Sequence, residues 1–280
     1  LFEGIDNTKY GVNPNTSFDL SSIQEEFCFL FVGHWLQGNY GHDRKNVGYM
    51  IKSFLETFKN KPKQPALLLK TSHVGSSIID QDRILKKIDD IRKSVRGKLP
   101  NIYLIHGEIH DTDMNNLYNN PKVKAMVCLT KGEGFGRPLL EGAITGKPVL
   151  TTNWSGHVDF IRPEYNILIG GELKNVHKSA ANQWLLEQGQ WFNINTEVAS
   201  KALKDVYKNY KKYIEQSRKQ TKFLKENFSY DAMVEVIKKQ LSGINVSVNV
   251  PLNLPKLEKT KDTSEGLPKL KLPKLKKLNG

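Results

Sequence analysis

The chain has 280 residues, of which 38% are hydrophobic and 25% charged, and 42 basic against 29 acidic residues give a formal net charge of +13. This amount of apolar material predicts a folded core and excludes wholesale disorder. The longest purely apolar run, residues 27–32, is far short of the roughly 18 residues that span a bilayer, so we expect a soluble, cytoplasmic protein.

Short apolar runs bounded by turn residues alternate along the chain with segments of helical periodicity. Apolar residues at helical spacing, such as Val47, Ile51 and Phe54 and then Ile84 and Ile88, predict helices between strands. The apolar runs predict buried strands at 27–33, 66–71, 102–106, 123–129, 148–152 and 167–169. This α/β alternation is typical of a Rossmann-like, doubly wound parallel sheet, in which ligands bind beyond the carboxyl ends of the strands.

The C-terminal part of the sequence has a different character. Residues 196–241 predict helix, with a break near Phe228 and Ser229. Beyond them Leu-Pro-Lys-Leu occurs three times, and residues 244–280 contain eight lysines against three acidic residues. Proline at this frequency excludes helix interiors and central strands, so we expect a disordered, Pro/Lys-rich tail with a solubilising role.

The two cysteines, Cys28 and Cys128, lie in separate apolar runs a hundred positions apart. This spacing favours buried free thiols in a reducing compartment over a disulfide framework or a metal cluster. The chain opens on Leu1 without a basic and apolar leader. We therefore expect no secretory signal and a missing N-terminal stretch.

The segment KGEGFGRPLLEG, residues 131–142, directly follows the fourth predicted strand. Its alternating glycines let a ligand approach the backbone closely, and Pro138 suits the first turn of a helix. Free N–H groups and the helix dipole at such a start attract phosphate or sugar oxygens. Glu133 and Glu141 flank the loop, and a carboxylate can accept hydrogen bonds from the vicinal hydroxyls of a ribose or hexose. From these residues alone, a ligand site and an ordinary glycine turn stay equally open.

Two glutamates seven residues apart, around Gly-Phe-Gly and Pro-Leu-Leu, resemble the signature of the retaining glycosyltransferases of the GT-B fold, often called glycosyltransferase family 4 or group 1. Residues 3–6, 29–33, 44–46 and 146–149 resemble further family segments in the same order, so the resemblance covers roughly residues 1–241. It implies the C-terminal donor-binding domain of that fold. The implied organisation is an interdomain connector at 1–19, a nucleotide-sugar-binding domain with C-terminal helices at 20–242, and the tail at 243–280.

The resemblance implies a donor site for a nucleotide diphosphate sugar. Glu141 matches the position that holds the ribose hydroxyls, and Glu133 matches a catalytic position that meets the donor sugar. Lys45 matches a catalytic cation that stabilises the diphosphate leaving group, which implies that no metal ion or other cofactor is required. The other implied substrate-binding residues are Gly33, His34, Arg44, His106, Ile109, Gly134, Phe135 and Gly136.

Two positions depart from the family pattern. The family usually carries arginine at the position of His34, so a residue that is largely neutral at pH 7 replaces one of two diphosphate cations. Arg44, beside Lys45, is the expected substitute. Ser155 precedes Gly156 where a pair of glycines is common. These departures bear on donor affinity and activity rather than on the fold.

The resemblance covers only the second of the two domains between which GT-B enzymes work. We therefore expect a hexosyltransferase that is incomplete as given and exposes apolar surface on the helix near 231–241. It needs an N-terminal domain, in cis or in trans, to bind its acceptor, which is an unknown glycan, lipid or protein. A non-catalytic nucleotide-sugar-binding module is one alternative. A basic nucleic-acid-associated protein is another, but charge explains neither glutamate, and no specific nucleic acid is expected. Epimerases and phosphorylases share the architecture and stay open on fold alone.

Overall fold

The structure, a computed structural model, describes residues 1–36, 38, 40–73 and 75–243. Six strands form a parallel sheet in the order β3-β2-β1-β4-β5-β6. They are β1 (Cys28–Val32), β2 (Ala66–Lys70), β3 (Ile102–Ile105), β4 (Val123–Cys128), β5 (Val149–Thr152) and β6 (Ile167–Ile169). The predicted doubly wound sheet is confirmed, and the strand order reverses between β1 and β4, where such sheets bind ligands. The expected tail lies, apart from Gly243, outside the described residues.

Helices pack on the sheet where the apolar periodicity predicts them. In the described part of the chain they are α1 (Val47–Phe58), α2 (Ile78–Lys93), α3 (Asp111–Asn119), α4 (Arg137–Ile144), α5 (Thr196–Lys208), α6 (Tyr210–Asn227) and α7 (Tyr230–Leu241). Ile51 and Leu55 of α1 are fully buried, which places the apolar stripe of this helix in the core. The Ser77 hydroxyl accepts the Asp80 N–H (3.1 Å) and so caps the start of α2.

The C-terminal region is helical, and the expected break at Phe228 and Ser229 is present. A second break at Asn209, between α5 and α6, was not predicted. The Asn209 side-chain amide donates to the Asp205 carboxylate (2.6 Å), and the Asn209 N–H donates to the Asp205 carbonyl (2.8 Å). The N–H bond is an ordinary i→i−4 helical bond, so the break lies in the backbone of Asn209 itself, whose φ of −107° and ψ of 29° depart from helical values.

An antiparallel hairpin, β7 (Gly171–Asn175) and β8 (Gln190–Ile194), follows β6 and was not predicted. All five β7 residues are exposed, so this strand lacks the alternation of buried and exposed side chains that marks a strand in sequence. On β8, Trp191 and Phe192 are buried. The Phe192 N–H donates to the Lys131 carbonyl (2.9 Å), so the hairpin packs against the segment that follows β4.

Cys28 and Cys128 are free thiols buried in β1 and β4, as expected. Burial raises the pKa of each thiol to about 12, so both are in their unreactive neutral form at neutral pH. Over the residues that the structure describes, no helix combines the length and the apolar character needed to cross a membrane.

The first residues of the chain are bound to the start of α7. The Ile5 N–H donates to the Phe228 carbonyl (2.8 Å), and the Tyr230 N–H donates to the Ile5 carbonyl (3.1 Å). None of the α7 residues, all of which are described, is buried. Val234 and Leu241 are exposed, so this helix presents apolar surface as expected.

Candidate functional site

The candidate site lies where the loops after β1 and β4 meet, at residues 43–46 and 129–136, beside the reversal of strand order. The Lys131 N–H donates to the Arg44 carbonyl (2.8 Å). The Arg44 guanidinium in turn donates to the Gly132 carbonyl (2.6 Å). These bonds join the two loops into one unit at the carboxyl edge of the sheet.

Glu133 and Lys45, both predicted as catalytic, are in direct contact. Lys45 Nζ lies 2.7 Å from Glu133 Oε1, and Arg44 Nη1 lies 3.3 Å from Glu133 Oε2. Glu133 and Lys45 are each only 8% exposed, and buried charges are costly unless paired. Burial raises the pKa of Glu133, but the Lys45 and Arg44 charges outweigh burial and hold this pKa below its usual value. The carboxylate is therefore ionised at neutral pH and lies between two cations.

The glycine loop continues from Glu133 to the start of α4. Gly136, the N-cap residue, has φ 95°, and a Cβ there would lie 2.9 Å from the His157 Cβ. Only glycine fits this position. Among the described residues, the backbone N–H groups of Gly134, Phe135 and Gly136 have no hydrogen-bond acceptor. Unpaired amides at a helix start are suited to bind an anion or hydroxyl oxygens.

The Phe135 side chain anchors this loop on the core. Its ring packs on Phe160 with centroids 4.8 Å apart. A depression of about 500 Å³ lies beside it, with Phe2, Asp159 and Phe228 in its walls. The free amides of the loop therefore border an open concave surface rather than packed protein.

Glu141, in the second turn of α4, is held by donors from two helices. The Tyr118 hydroxyl of α3 donates to Oε2 (2.9 Å), and Arg137 Nε donates to Oε1 (3.0 Å). Burial raises the pKa of Glu141, while these two hydrogen bonds and the Arg137 charge act in the opposite direction. Each carboxylate oxygen keeps a second lone pair with which a ligand hydroxyl can bond.

Neither partner of Glu141 was predicted. Arg137 stands four residues before Glu141, and the i,i+4 rule for opposite charges on a helix could have found it. Tyr118 is 23 residues away on another helix, and no local pattern relates it to Glu141. The packing of α3 against α4 creates this contact.

The loop after β5 packs tightly against the glycine loop. The Gly156 N–H donates to the Glu133 carbonyl (3.0 Å). A Cβ at Gly156 would lie 2.0 Å from the Gly134 carbonyl oxygen, so no side chain fits at this position. Ser155, noted in the sequence only as a departure from the family, accepts the Glu133 N–H with its hydroxyl (2.9 Å).

Gly33 and His34 follow β1, and their surroundings differ. A Cβ at Gly33 would lie 3.4 Å from the Lys45 side chain, so this glycine borders the Lys45–Glu133 pair. His34 is exposed, and its Nδ1 lies 3.1 Å from the Ser72 hydroxyl. His34 is therefore near the site but bound to the loop after β2.

His106 and Ile109 follow β3 at the same edge of the sheet. The His106 ring is buried against Asp80 of α2, with Nε2 3.0 Å from the carboxylate. Asp80 also accepts the His73 N–H (2.9 Å). Ile109 is half-buried against the core. Among the described residues, neither His106 nor Ile109 contacts Glu133.

Lys131 is a buried cation of this site that the sequence analysis did not single out. Its Nζ contacts the Asn193 amide oxygen and lies 4.9 Å from the centroid of the Trp191 ring. Burial lowers the pKa of Lys131 to about 8. Both partners lie on β8, and the interaction could not be predicted without the hairpin.

The site thus combines the cations Lys45, Arg44 and Lys131 with three unpaired amides and two carboxylates. Cations and amides at a helix start suit phosphate oxygens, and carboxylates suit the hydroxyl groups of a sugar. Among the residues that the structure describes, no group of three or more His, Cys, Asp or Glu side chains is placed to hold a metal ion.

A family model described as "Glycosyl transferases group 1" matches residues 27–183. No curated protein matches the chain. Among solved structures, the chain is similar to the C-terminal domain of LpcC, a glycosyl transferase group 1 family protein from Francisella tularensis. The identity is 14% and the TM-score 0.57, and the match covers 81% of this chain and 100% of that domain.

Two longer proteins are similar to the chain over about half their length. HepE from Anabaena, in complex with UDP and glucose, has 13% identity and a TM-score of 0.60, and the match covers 86% of this chain and 56% of HepE. Sucrose-phosphate synthase from Thermosynechococcus elongatus has 15% identity and a TM-score of 0.57, with 86% and 52% covered. At these identities the likeness establishes the fold, the Rossmann-like C-terminal domain of GT-B proteins.

Proposed function

Because this chain belongs to the glycosyl transferases group 1 family, we propose that it binds a nucleotide diphosphate sugar and is the donor-binding half of a retaining hexosyltransferase. The observation that carries the proposal is the buried contact of Glu133 with Lys45 and Arg44, next to a helix start with unpaired amides. The contact sets phosphate-binding cations beside a carboxylate that can bind sugar hydroxyls.

Each part of the donor is assigned to a different set of residues in this proposal. The diphosphate binds Lys45, Arg44 and the amides of Phe135 and Gly136, since these groups supply positive charge and N–H donors. The ribose hydroxyls donate to Glu141, and the hexose hydroxyls donate to Glu133. The base lies along residues 106–109. The UDP and glucose held by the similar Anabaena protein support a ligand of this class.

The transfer step breaks the bond between the anomeric carbon of the sugar and a phosphate oxygen. Negative charge then develops on the departing diphosphate, and Lys45 stabilises it from a fixed position without a metal ion. Glu133 orients the sugar, and an acceptor hydroxyl oxygen bonds to the anomeric carbon on the face that the diphosphate leaves, which retains the configuration. The hydroxyl proton passes to the departing phosphate oxygen. The acceptor, a glycan, lipid or protein, is bound by an N-terminal domain.

Calorimetry with UDP- and GDP-hexoses tests the donor site. We expect Glu141→Ala to abolish binding, because the ribose loses its acceptor, while circular dichroism stays unchanged. Glu226→Ala is the matched control, since Glu226 is an exposed carboxylate on α6. Undiminished binding by Glu141→Ala, or an equal loss in both variants, would contradict the ribose assignment.

The proposal also predicts that the 280 residues alone bind donor with negligible transfer. Holding donor and acceptor together supplies a large part of the rate of any bimolecular transfer, and the acceptor wall belongs to the other domain. Supplying that domain, on the same chain or separately, is expected to restore turnover. Robust transfer by the isolated chain would refute the assignment of acceptor binding to the other domain.

One observation favours a second candidate, a non-catalytic nucleotide-sugar-binding module. His34 is bound to Ser72, and both remaining cations are engaged by Glu133, which leaves little free positive charge for a leaving group. The two candidates differ in one outcome. A module binds donor but gives no product after an N-terminal domain is supplied.

A further inference from the structure

Ser155 has a backbone conformation that residues other than glycine rarely adopt. Its φ is 83° and its ψ is −172°. Cβ is crowded by the neighbouring backbone in this region, which is occupied almost only by glycine. A strained residue of this kind persists only where surrounding contacts compensate. The contacts of the Ser155 side chain therefore indicate what holds it there.

Both hydrogen bonds of the Ser155 hydroxyl are made with the backbone of Glu133. The hydroxyl accepts the Glu133 N–H (2.9 Å) and donates to the Glu133 carbonyl (2.5 Å). The Gly156 N–H donates to the same carbonyl (3.0 Å). Two consecutive residues of the loop after β5 thus bind both polar backbone groups of Glu133.

Arg44 and Thr130 bind the backbone of Gly132, but the glycines on either side of Glu133 supply no side-chain packing. A Cβ at Gly134 would find no atom within 4 Å, and a Cβ at Gly132 would find only the Ser155 hydroxyl, at 3.8 Å. Glycines in open space leave the backbone many conformations. The hydrogen bonds from Ser155 and Gly156 restrict that freedom, and the Glu133 side chain then reaches Lys45.

We propose that Ser155 is a positioning residue that fixes the backbone of Glu133 and thereby aims its carboxylate at Lys45 and at the donor sugar. The contact with the sugar rests on the proposed function, whereas the contact with Lys45 does not. A glycine at position 155 relieves the strain but lacks the hydroxyl. Serine at this position therefore accepts a strained backbone conformation, and its hydroxyl fixes the position of the Glu133 carboxylate.

The first experiment needs no donor. The pKa of Glu133 is measured by NMR titration in the wild type, in Ser155→Gly and in Ser94→Ala, a control that removes a serine hydroxyl bound to a carbonyl (2.7 Å) at the end of α2. In Ser155→Gly the carboxylate is less firmly held against Lys45, and the pKa of Glu133 is expected to rise toward its usual value. The control is expected to titrate like the wild type.

The second experiment compares UDP-glucose with UDP by calorimetry. Ser155→Gly is expected to weaken UDP-glucose binding by about tenfold, the size of one lost hydrogen bond to a charged group. UDP makes no contact with Glu133 in this proposal, and its affinity is expected to change by less than about twofold. Adding Ser155→Gly to Glu133→Gln is expected to cause no further loss, because Ser155 acts through the Glu133 carboxylate.

Two results would overturn the proposal. One is an unchanged pKa of Glu133 together with unchanged UDP-glucose affinity in Ser155→Gly. The other is an equal loss of UDP and UDP-glucose affinity that follows a lowered melting temperature, which would make Ser155 a purely structural residue. If the wild type binds neither ligand, the proposed function fails, and the pKa of Glu133 still decides whether Ser155 positions its carboxylate.

Discussion

Replacing Lys45 with methionine tests the energetic role of the buried ion pair. The variant keeps a side chain of similar length but removes the ammonium 2.7 Å from Glu133. Breaking one side of a buried pair costs about 3–5 kcal/mol. Arg44 remains 3.3 Å from the same carboxylate, so we expect a smaller loss, about 2–3 kcal/mol. At about 2–4 °C per kcal/mol for a domain of this size, the melting temperature falls by about 4–12 °C.

Urea unfolding at pH 7 of the wild type, Lys45→Met, Glu133→Gln and the double variant measures this loss. The double variant is expected to recover most of the stability lost in Lys45→Met, because it leaves no unpaired buried carboxylate. A loss below about 1 kcal/mol in Lys45→Met, with additive effects in the double variant, would refute the reasoning.

The pH dependence of stability independently tests whether the Glu133 pKa is lowered by Lys45. In the wild type the pKa of Glu133 lies below its usual value because of the Lys45 and Arg44 charges, so its stabilising contribution is present at neutral pH and is lost as pH falls through the lowered pKa. In Lys45→Met, burial raises the pKa of Glu133 instead. The deficit of this variant should therefore be constant near pH 7 and shrink as pH falls through the raised pKa. A deficit independent of pH would contradict this assignment.

Three further predictions concern neighbouring residues. NMR titration should show the Lys131 amine with a pKa of about 8, because burial disfavours its charged form; titration with the exposed lysines would show that the hairpin does not bury it. Gly156→Ala should lower stability by about 1–3 kcal/mol and weaken donor binding, since its Cβ would meet the Gly134 carbonyl oxygen at 2.0 Å; wild-type stability by urea unfolding would contradict the tight packing. His34→Arg should strengthen the binding of a nucleoside diphosphate, measured by calorimetry, by about tenfold, which is the effect of one added charge-assisted hydrogen bond. His110→Arg, at an exposed loop position, is the control, and an equal gain in both variants would assign the effect to net charge.

The sheet was predictable because its strands are buried on both sides. All six apolar runs become strands whose ends differ from the predicted ends by one residue at most. The hairpin could not be predicted in the same way, because the whole of β7 is exposed. Its burial signal is confined to β8, where Trp191 packs on Lys131 and Phe192 stacks on Trp154. Periodicity detects elements that pack on the main core, and this hairpin packs on a loop.

Two of the predicted site residues lie in contact, but the residues that hold the predicted glutamates in place could not be predicted. Glu133 and Lys45 were singled out by resemblance, and they lie in contact. Tyr118 and Ser155, which hold Glu141 and Glu133, act across 23 and 22 residues. Such contacts depend on how α3 and the loop after β5 pack, and no spacing within one element contains that information.

Glu133, which pairs with Lys45 and Arg44, occupies the positive charge that a bound anion would need. An incoming anion has to compete with an internal carboxylate that is already ionised and paired with both cations, so inorganic phosphate is expected to gain little binding energy from them. A ligand that brings hydroxyl groups together with its phosphates gives Glu133 new hydrogen-bond donors in exchange. If the proposed donor site is correct, the carboxylate that pairs with the cations is expected to favour a sugar phosphate over a simple anion, independently of any contact with a base.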